Sequence, residues 1–256
     1  MDIQGLRVTF PADGIALLEL DRPHRRNALD RALLDGLPGV LTGLAADDRV
    51  RALVVSGRGG AFCAGGDLDA IAASDGESPE EGRARMEREF ATARLLLEFR
   101  APTVAAVDGA AVGAGMALAL ACDLRIGSPE AVFASPFIRM ALVPDWGVSW
   151  LLARAVGQAR ATEIALSARK VAAEEALRIG LLDAVVPGPL DEALARAVPL
   201  ADAEPAAAAA TKRLIAGSAG GFQDAIDAEI EAQLCAVRSP EFTRRMGEWS
   251  RSVRGR

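Results

Sequence analysis

Asp145 lies in ALVPDWGVSWLL (residues 141–152), between Val143-Pro144 and Trp146-Gly147. Aspartate is among the residue types least often buried without a partner or a task, so a carboxylate in such apolar company is a candidate acid/base group. Desolvation raises a carboxyl from its ordinary value of ~3.9 and makes it a better base. The plainer alternative is that Asp145 caps a helix starting near Val148. Two glycine-rich stretches are the other chemical feature, AFCAGGD (61–67) and VDGAAVGAGMALALACD (107–123). Each sets glycine backbone between a strand pattern and a helical one. Glycine lets the chain approach a ligand closely, and a helix N-terminus leaves N–H donors unpaired. Two such donors converging on one point form an oxyanion hole, which stabilises charge on a carbonyl oxygen. Taken singly, either loop reads better as helix–sheet packing; taken together the two are specific.

Other chemistries are poorly supplied. The chain has one histidine and no tyrosine in 256 residues. A Ser-His-Asp hydrolase would need His24, which follows Pro23 in an arginine-rich turn, and no G-x-S-x-G elbow exists. Cys63, Cys122 and Cys235 have no metal-type spacing and read as reduced thiols of a cytoplasmic protein. Gly113-Ala114-Gly115 is followed by Leu118 where a dinucleotide fingerprint needs its third glycine, so that reading fails. No metal or redox cofactor is expected. A net charge of −6 argues against nucleic acid as a partner. The most apolar stretch, Gly109 to Cys122, is well short of the ~20 residues of a membrane span, and the N-terminus lacks a signal-peptide pattern.

The elements that must position these residues follow from periodicity. Residues 6–10, 15–20, 51–57, 102–109, 123–129 and 131–136 read as strands. Helical patterns cover 29–47, 84–100, the end of 110–123, 149–157, 158–167, 172–180, 190–202, 205–217 and 222–238, with a short helical start at 68–73. SDGESPEEG (74–82) reads as a surface loop. Strands and helices alternate first and helices follow, which predicts an α/β core with a helical C-terminal layer.

DRPHRRNALD, AFCAGGDL, AAVDGAAVGAGMALALACDLRI, the ALVPDWGVSWLLARAVG block and AAEEALRIGLLDAVVP together resemble the crotonase (enoyl-CoA hydratase/isomerase) superfamily, in its order and spacing. The resemblance implies a spiral of ββα repeats over residues 1–195 and a C-terminal helical region over 196–256 that supports a homotrimer or dimer of trimers. It implies an acyl-CoA thioester substrate, coenzyme A entering only as part of that substrate. It assigns the oxyanion donors to the backbone N–H groups of Gly66 and Ala114. Arg25 and Arg26 would meet the phosphates of coenzyme A, and Ala64 and Leu68 would flank its adenine and pantetheine portions. Asp67, Asp108 and Asp123 read as structural residues at turns and element ends.

The departures from the family pattern decide more. Hydratases of the superfamily resemble one another in two glutamates that hold and activate water; here those places carry Ala117 and Phe137. Asp145 matches the aspartate that moves protons in dienoyl-CoA and ring-epoxyphenylacetyl-CoA isomerases. The expected activity is therefore a double-bond shift, with Asp145 as acid/base and Phe137 and Trp146 shaping an apolar acyl pocket. Met116 reads as core. A hydratase with a rebuilt site and a non-catalytic acyl-CoA-binding protein are the alternatives.

Overall fold

The computed structural model describes residues 3–67, 69–70, 76–217 and, further on, 230, 233, 240–242 and 244. Strands β1 (Leu6–Ala12), β2 (Ile15–Leu20), β3 (Ala52–Gly57), β4 (Thr103–Val107), β6 (Leu124–Gly127) and β9 (Ala184–Val185) form one sheet in the order β1-β2-β3-β4-β6-β9. The β1–β2 hairpin is antiparallel and every later pairing is parallel. β5 (Ala110–Val112), β7 (Val132–Ala134) and β8 (Lys170–Ala172) make a second, three-stranded sheet. The chain steps from β4 to β5 and from β6 to β7, each time giving one strand to each sheet before a helical segment. This is the ββα spiral.

β3 and β4 are apolar almost without interruption because both faces are covered. Side chains alternate across a strand, so Leu53, Val55, Ala105 and Val107 join one core while Ala52, Val54, Val104 and Ala106 join another. The first core is closed by helix α1 (Arg31–Ala46), α2 (Pro79–Leu97), α3 (Ala114–Ala121), α4 (Val148–Val156), α5 (Gln158–Ser167) and α6 (Ala173–Ile179). The second is closed by α7 (Pro189–Ala201), whose Ala193, Ala197 and Ala201 recur every four residues and form one narrow stripe against the sheet.

Two boundaries differ from the sequence reading. Helix α2 begins at Pro79, inside the segment read as a loop to residue 82. Ser78 accepts from the Glu81 N–H and Glu81 accepts from the Ser78 N–H, a capping box with proline at the first helical position. Its first turn is polar, so apolar periodicity does not reveal it. The chain divides into units Met1–Ala201 and Asp202–Arg256. A boundary at 195/196 would cut the alanine stripe of α7. In the second unit, α8 (Pro205–Gly217) is capped by Glu204, whose carboxylate accepts from the N–H groups of Ala206 and Ala207. The helix expected over 222–238 falls outside the described residues apart from single positions. No helix among the described residues is long and apolar enough to cross a membrane.

Candidate active site

Two pairings lace the loop after β3 into place. On one side the Leu29 N–H donates to the Gly65 carbonyl (2.8 Å) and the Asp67 N–H to the Leu29 carbonyl (2.9 Å). On the other, the Cys63 N–H donates to the Ala110 carbonyl (2.8 Å) and the Val112 N–H to the Cys63 carbonyl (3.0 Å). Because Leu29 bonds to the residues flanking Gly66, the Gly66 N–H points the opposite way. A Cβ placed on Gly65 would lie 3.7 Å from the Ala114 nitrogen, so the loop runs beside the first turn of α3. Neither the Gly66 nor the Ala114 N–H is taken up by a backbone hydrogen bond among the described residues. The close approach depends on Gly115, where a Cβ would lie 2.2 Å from the Cys63 carbonyl oxygen. Geometry thus brings two free donors to adjoining loops.

Asp67 stands next to this pair and is fully engaged. It accepts from the Arg22 guanidinium (3.1 Å) and the Asp69 N–H (3.1 Å). Burial works to raise its carboxyl, but the Asp69 N–H and the Arg22 and Arg25 charges hold it below the usual carboxylate range. Arg22 also reaches Asp30 (3.1 Å) and the Ala28 carbonyl (2.5 Å). The buried Asn27 donates to the carbonyls of Arg58 (2.9 Å) and Ala61 (2.6 Å) and accepts from the Arg22 N–H (2.8 Å). Arg22 and Asn27 therefore fasten the turn to the glycine loop. Arg25 and Arg26 lie on its exposed side, Arg25 pairing with Asp69 at 3.3 Å. The Ala64 N–H donates to the Arg26 carbonyl (3.0 Å). Leu68 lies outside the described residues. Asp123 binds the Thr103 N–H (2.7 Å) and hydroxyl (3.0 Å), tying two strand ends together.

Asp145 differs from all of these. Helix α4 starts at Val148 with Gly147 as N-cap and no side-chain cap. The Asp145 backbone carbonyl, not its carboxylate, accepts from the Val148 N–H (2.9 Å). The carboxylate's Oδ1 is buried and has no hydrogen-bond partner. Desolvation, aided by the negative charge of Glu89, pushes this carboxyl up to about 6, against a lowering pull from its own N–H. Trp146 is buried at φ 52°, a left-handed conformation rare for a bulky residue, and packs on Phe90 with ring centroids 6.0 Å apart. Phe137, buried in the short helical turn Phe137–Met140, comes within 3.5 Å of where a Cβ on Gly113 would stand, next to Ala114. Ala117 and Met116 are fully buried in α3. The Cys63 thiol, pushed up to about 12 by burial, is no nucleophile. No cluster of three metal-ligating side chains occurs among the described residues.

Sequence reasoning passed over Glu89. The buried positions of α2 are Glu89, Thr92, Ala93 and Leu96, spaced three and four apart. A carboxylate on that stripe was the available signal.

The enoyl-CoA hydratase/isomerase family model matches residues 11–243. The chain belongs to this family. It is 37% identical over 239 residues to a probable enoyl-CoA hydratase of Mycobacterium tuberculosis, covering 91% of this chain and 92% of that protein. It is 38% identical over 184 residues to the 1,2-epoxyphenylacetyl-CoA isomerase of Escherichia coli, covering 71% of this chain and 69% of that one. The enoyl-CoA hydratase of Bacillus anthracis superposes with a TM-score of 0.91 at 27% identity, over 97% of both chains. The spiral described above is thus the crotonase fold, and the family's chemistry is that of acyl-CoA thioesters. Within the family, this chain carries Ala117 and Phe137 where the resemblance places a hydratase's glutamates.

Proposed function

We propose that this enzyme shifts a double bond in an unsaturated or ring acyl-CoA. The thioester carbonyl accepts hydrogen bonds from the Gly66 and Ala114 N–H groups. Asp145, as carboxylate, removes a proton from the allylic carbon. The electron pair left behind delocalises onto the thioester oxygen as an enolate, and each donor stabilises that charge by about 3 kcal/mol. The protonated Asp145 then returns its proton to the far carbon of the conjugated system. One carboxylate suffices because the proton travels over one face. Phe137 and Trp146 bound the acyl end, Arg25 and Arg26 meet the coenzyme A phosphates, and the chain assembles as a trimer or dimer of trimers.

The observation that carries this reading is the Asp145 carboxylate: half-buried, with one oxygen unpartnered, pushed up to about 6, and freed from helix capping. A general base works best with such a value near the operating pH. The likeness to an epoxyphenylacetyl-CoA isomerase supports it. A hydratase with a rebuilt site is the second reading, favoured by Glu89 as a further buried carboxylate bearing on Asp145.

The deciding experiment is mass spectrometry of a β,γ-unsaturated acyl-CoA incubated in heavy water with wild type and Asp145→Asn. Isomerised product of unchanged composition, apart from deuterium, and a rate loss of ~10²–10⁴-fold in the variant are expected. Product heavier by one water identifies the hydratase. Unchanged conversion by Asp145→Asn sinks the role given to Asp145.

A further inference from the structure

Glu89 is only 7% exposed, yet it is not buried for lack of a partner. Arg85, one turn earlier on α2, holds its Oε2 at 3.0 Å, and Arg31 of α1 lies 3.9 Å from its Oε1. The next residue, Phe90, packs on Trp146, the next residue after Asp145. Helix α2 is therefore seated against the loop that carries the acid/base group. Helix α3, packed on both α2 and α4, holds no titratable side chain, and in α5, packed on α4 and on the Phe137–Met140 turn, Arg160 donates to the Val156 carbonyl and Glu163 pairs with Arg169. In the turn and helix flanking the loop, Arg139 is exposed and Arg154 lies over the Trp150 ring at 4.5 Å. The Glu89 charge adds to burial in raising the Asp145 carboxyl.

We propose that Glu89 is a second carboxylate of the acid/base centre, a positioning residue that acts on the reaction through Asp145 and is itself gripped by Arg85 and Arg31. The inference rests on Asp145 as the proton carrier. A negative charge nearby makes a second carboxylate take a proton more readily, and a carboxylate oxygen with no donor has nothing to oppose that. Here the guanidiniums sit on Glu89 and Oδ1 of Asp145 has none. Glu89 thereby makes Asp145 a stronger base toward a weakly acidic allylic carbon, and the arginines set how much of that charge Asp145 feels.

The test reads Asp145 directly, by titrating its ¹³C-labelled carboxyl resonance, identified as the signal missing from Asp145→Asn. In Glu89→Gln the midpoint falls by on the order of half a pH unit. It does not reach the ordinary value, because burial is the larger cause. Glu89→Asp, which keeps the charge, restores most of the shift. Arg31→Gln, at an exposed and foldable position, moves the midpoint upward by removing a countercharge. If Glu89→Gln does not fold, the direction of the Arg31→Gln shift decides. A midpoint that stays put in the folded variants overturns the proposal. A midpoint that moves as stated, in an enzyme whose Asp145→Asn variant still turns over, would leave this coupling standing and remove the acid/base role itself.

Discussion

Asp67 and Asp145 are two loop aspartates, and the chain treats them in opposite ways. Asp67 has a guanidinium and an N–H at 3.1 Å and is held below the usual carboxylate range. Asp145 has an oxygen with no partner and is pushed up to about 6. Asp67 is the less exposed of the two, so exposure to solvent alone does not separate them. Partners do. A carboxylate whose lone pairs are filled is a strut, and one left unfilled is free to exchange a proton. The glycine loop follows the same logic in reverse: its backbone is laced to Leu29 on one side and to β5 on the other, and the Gly66 and Ala114 N–H groups are left without backbone partners among the described residues.

The comparison can be attacked from its rigid side first. Gly115→Ala would set a Cβ 2.2 Å from the Cys63 carbonyl, and backbone must move to make room. Steady-state kinetics should show kcat down by about 10²–10³-fold, the cost of a misplaced oxyanion donor. A variant with full activity would separate the two loops from catalysis. Asp67→Ala removes one half of a buried ion pair with Arg22, whose side chain is itself only 14% exposed. Chemical denaturation should record a loss of about 2 kcal/mol, since Arg22 keeps Asp30 as a partner. A neutral result would mean that the strut is dispensable.

The smallest effect sharpens the contrast through pH. The folded Asp145 carboxyl titrates above its unfolded value, so the folded state binds the extra proton between about 4 and about 6 and stability falls as pH rises through that window. Asp145→Asn should therefore gain on wild type across it, by about 1 kcal/mol once solvent screening of a half-buried carboxylate is allowed for. Asp67 has the opposite sign: its contribution is present above its unfolded value and is lost as pH falls through the depressed folded one. Parallel stability curves for Asp145→Asn and wild type from pH 4 to 7 would remove the contrast.

Much of this was legible in the sequence, for stated reasons. Unbroken apolar runs gave β3 and β4 away, and leucines at helical spacing gave α1. β8 and β9 were not legible, since strands of two or three residues carry no period of their own. Of the candidate site, Gly66, Ala114 and Asp145 could be proposed from motif and resemblance. Arg22 and Asn27 could not, because their importance lies in carbonyls and carboxylates brought from elsewhere in the chain. Arg25 and Arg26, more conspicuous as a pair, occupy the exposed side of the same turn.

One consequence of the loop before α4 concerns how such a frame changes its chemistry over time. The helix is started by a backbone carbonyl at 145 and a glycine at 147, so no side chain at 145 is required to build it. The start of α4 does not use the side chain at 145. If residue 145 does the chemistry proposed above, the reaction can be rewritten by single substitutions there while the scaffold is inherited intact.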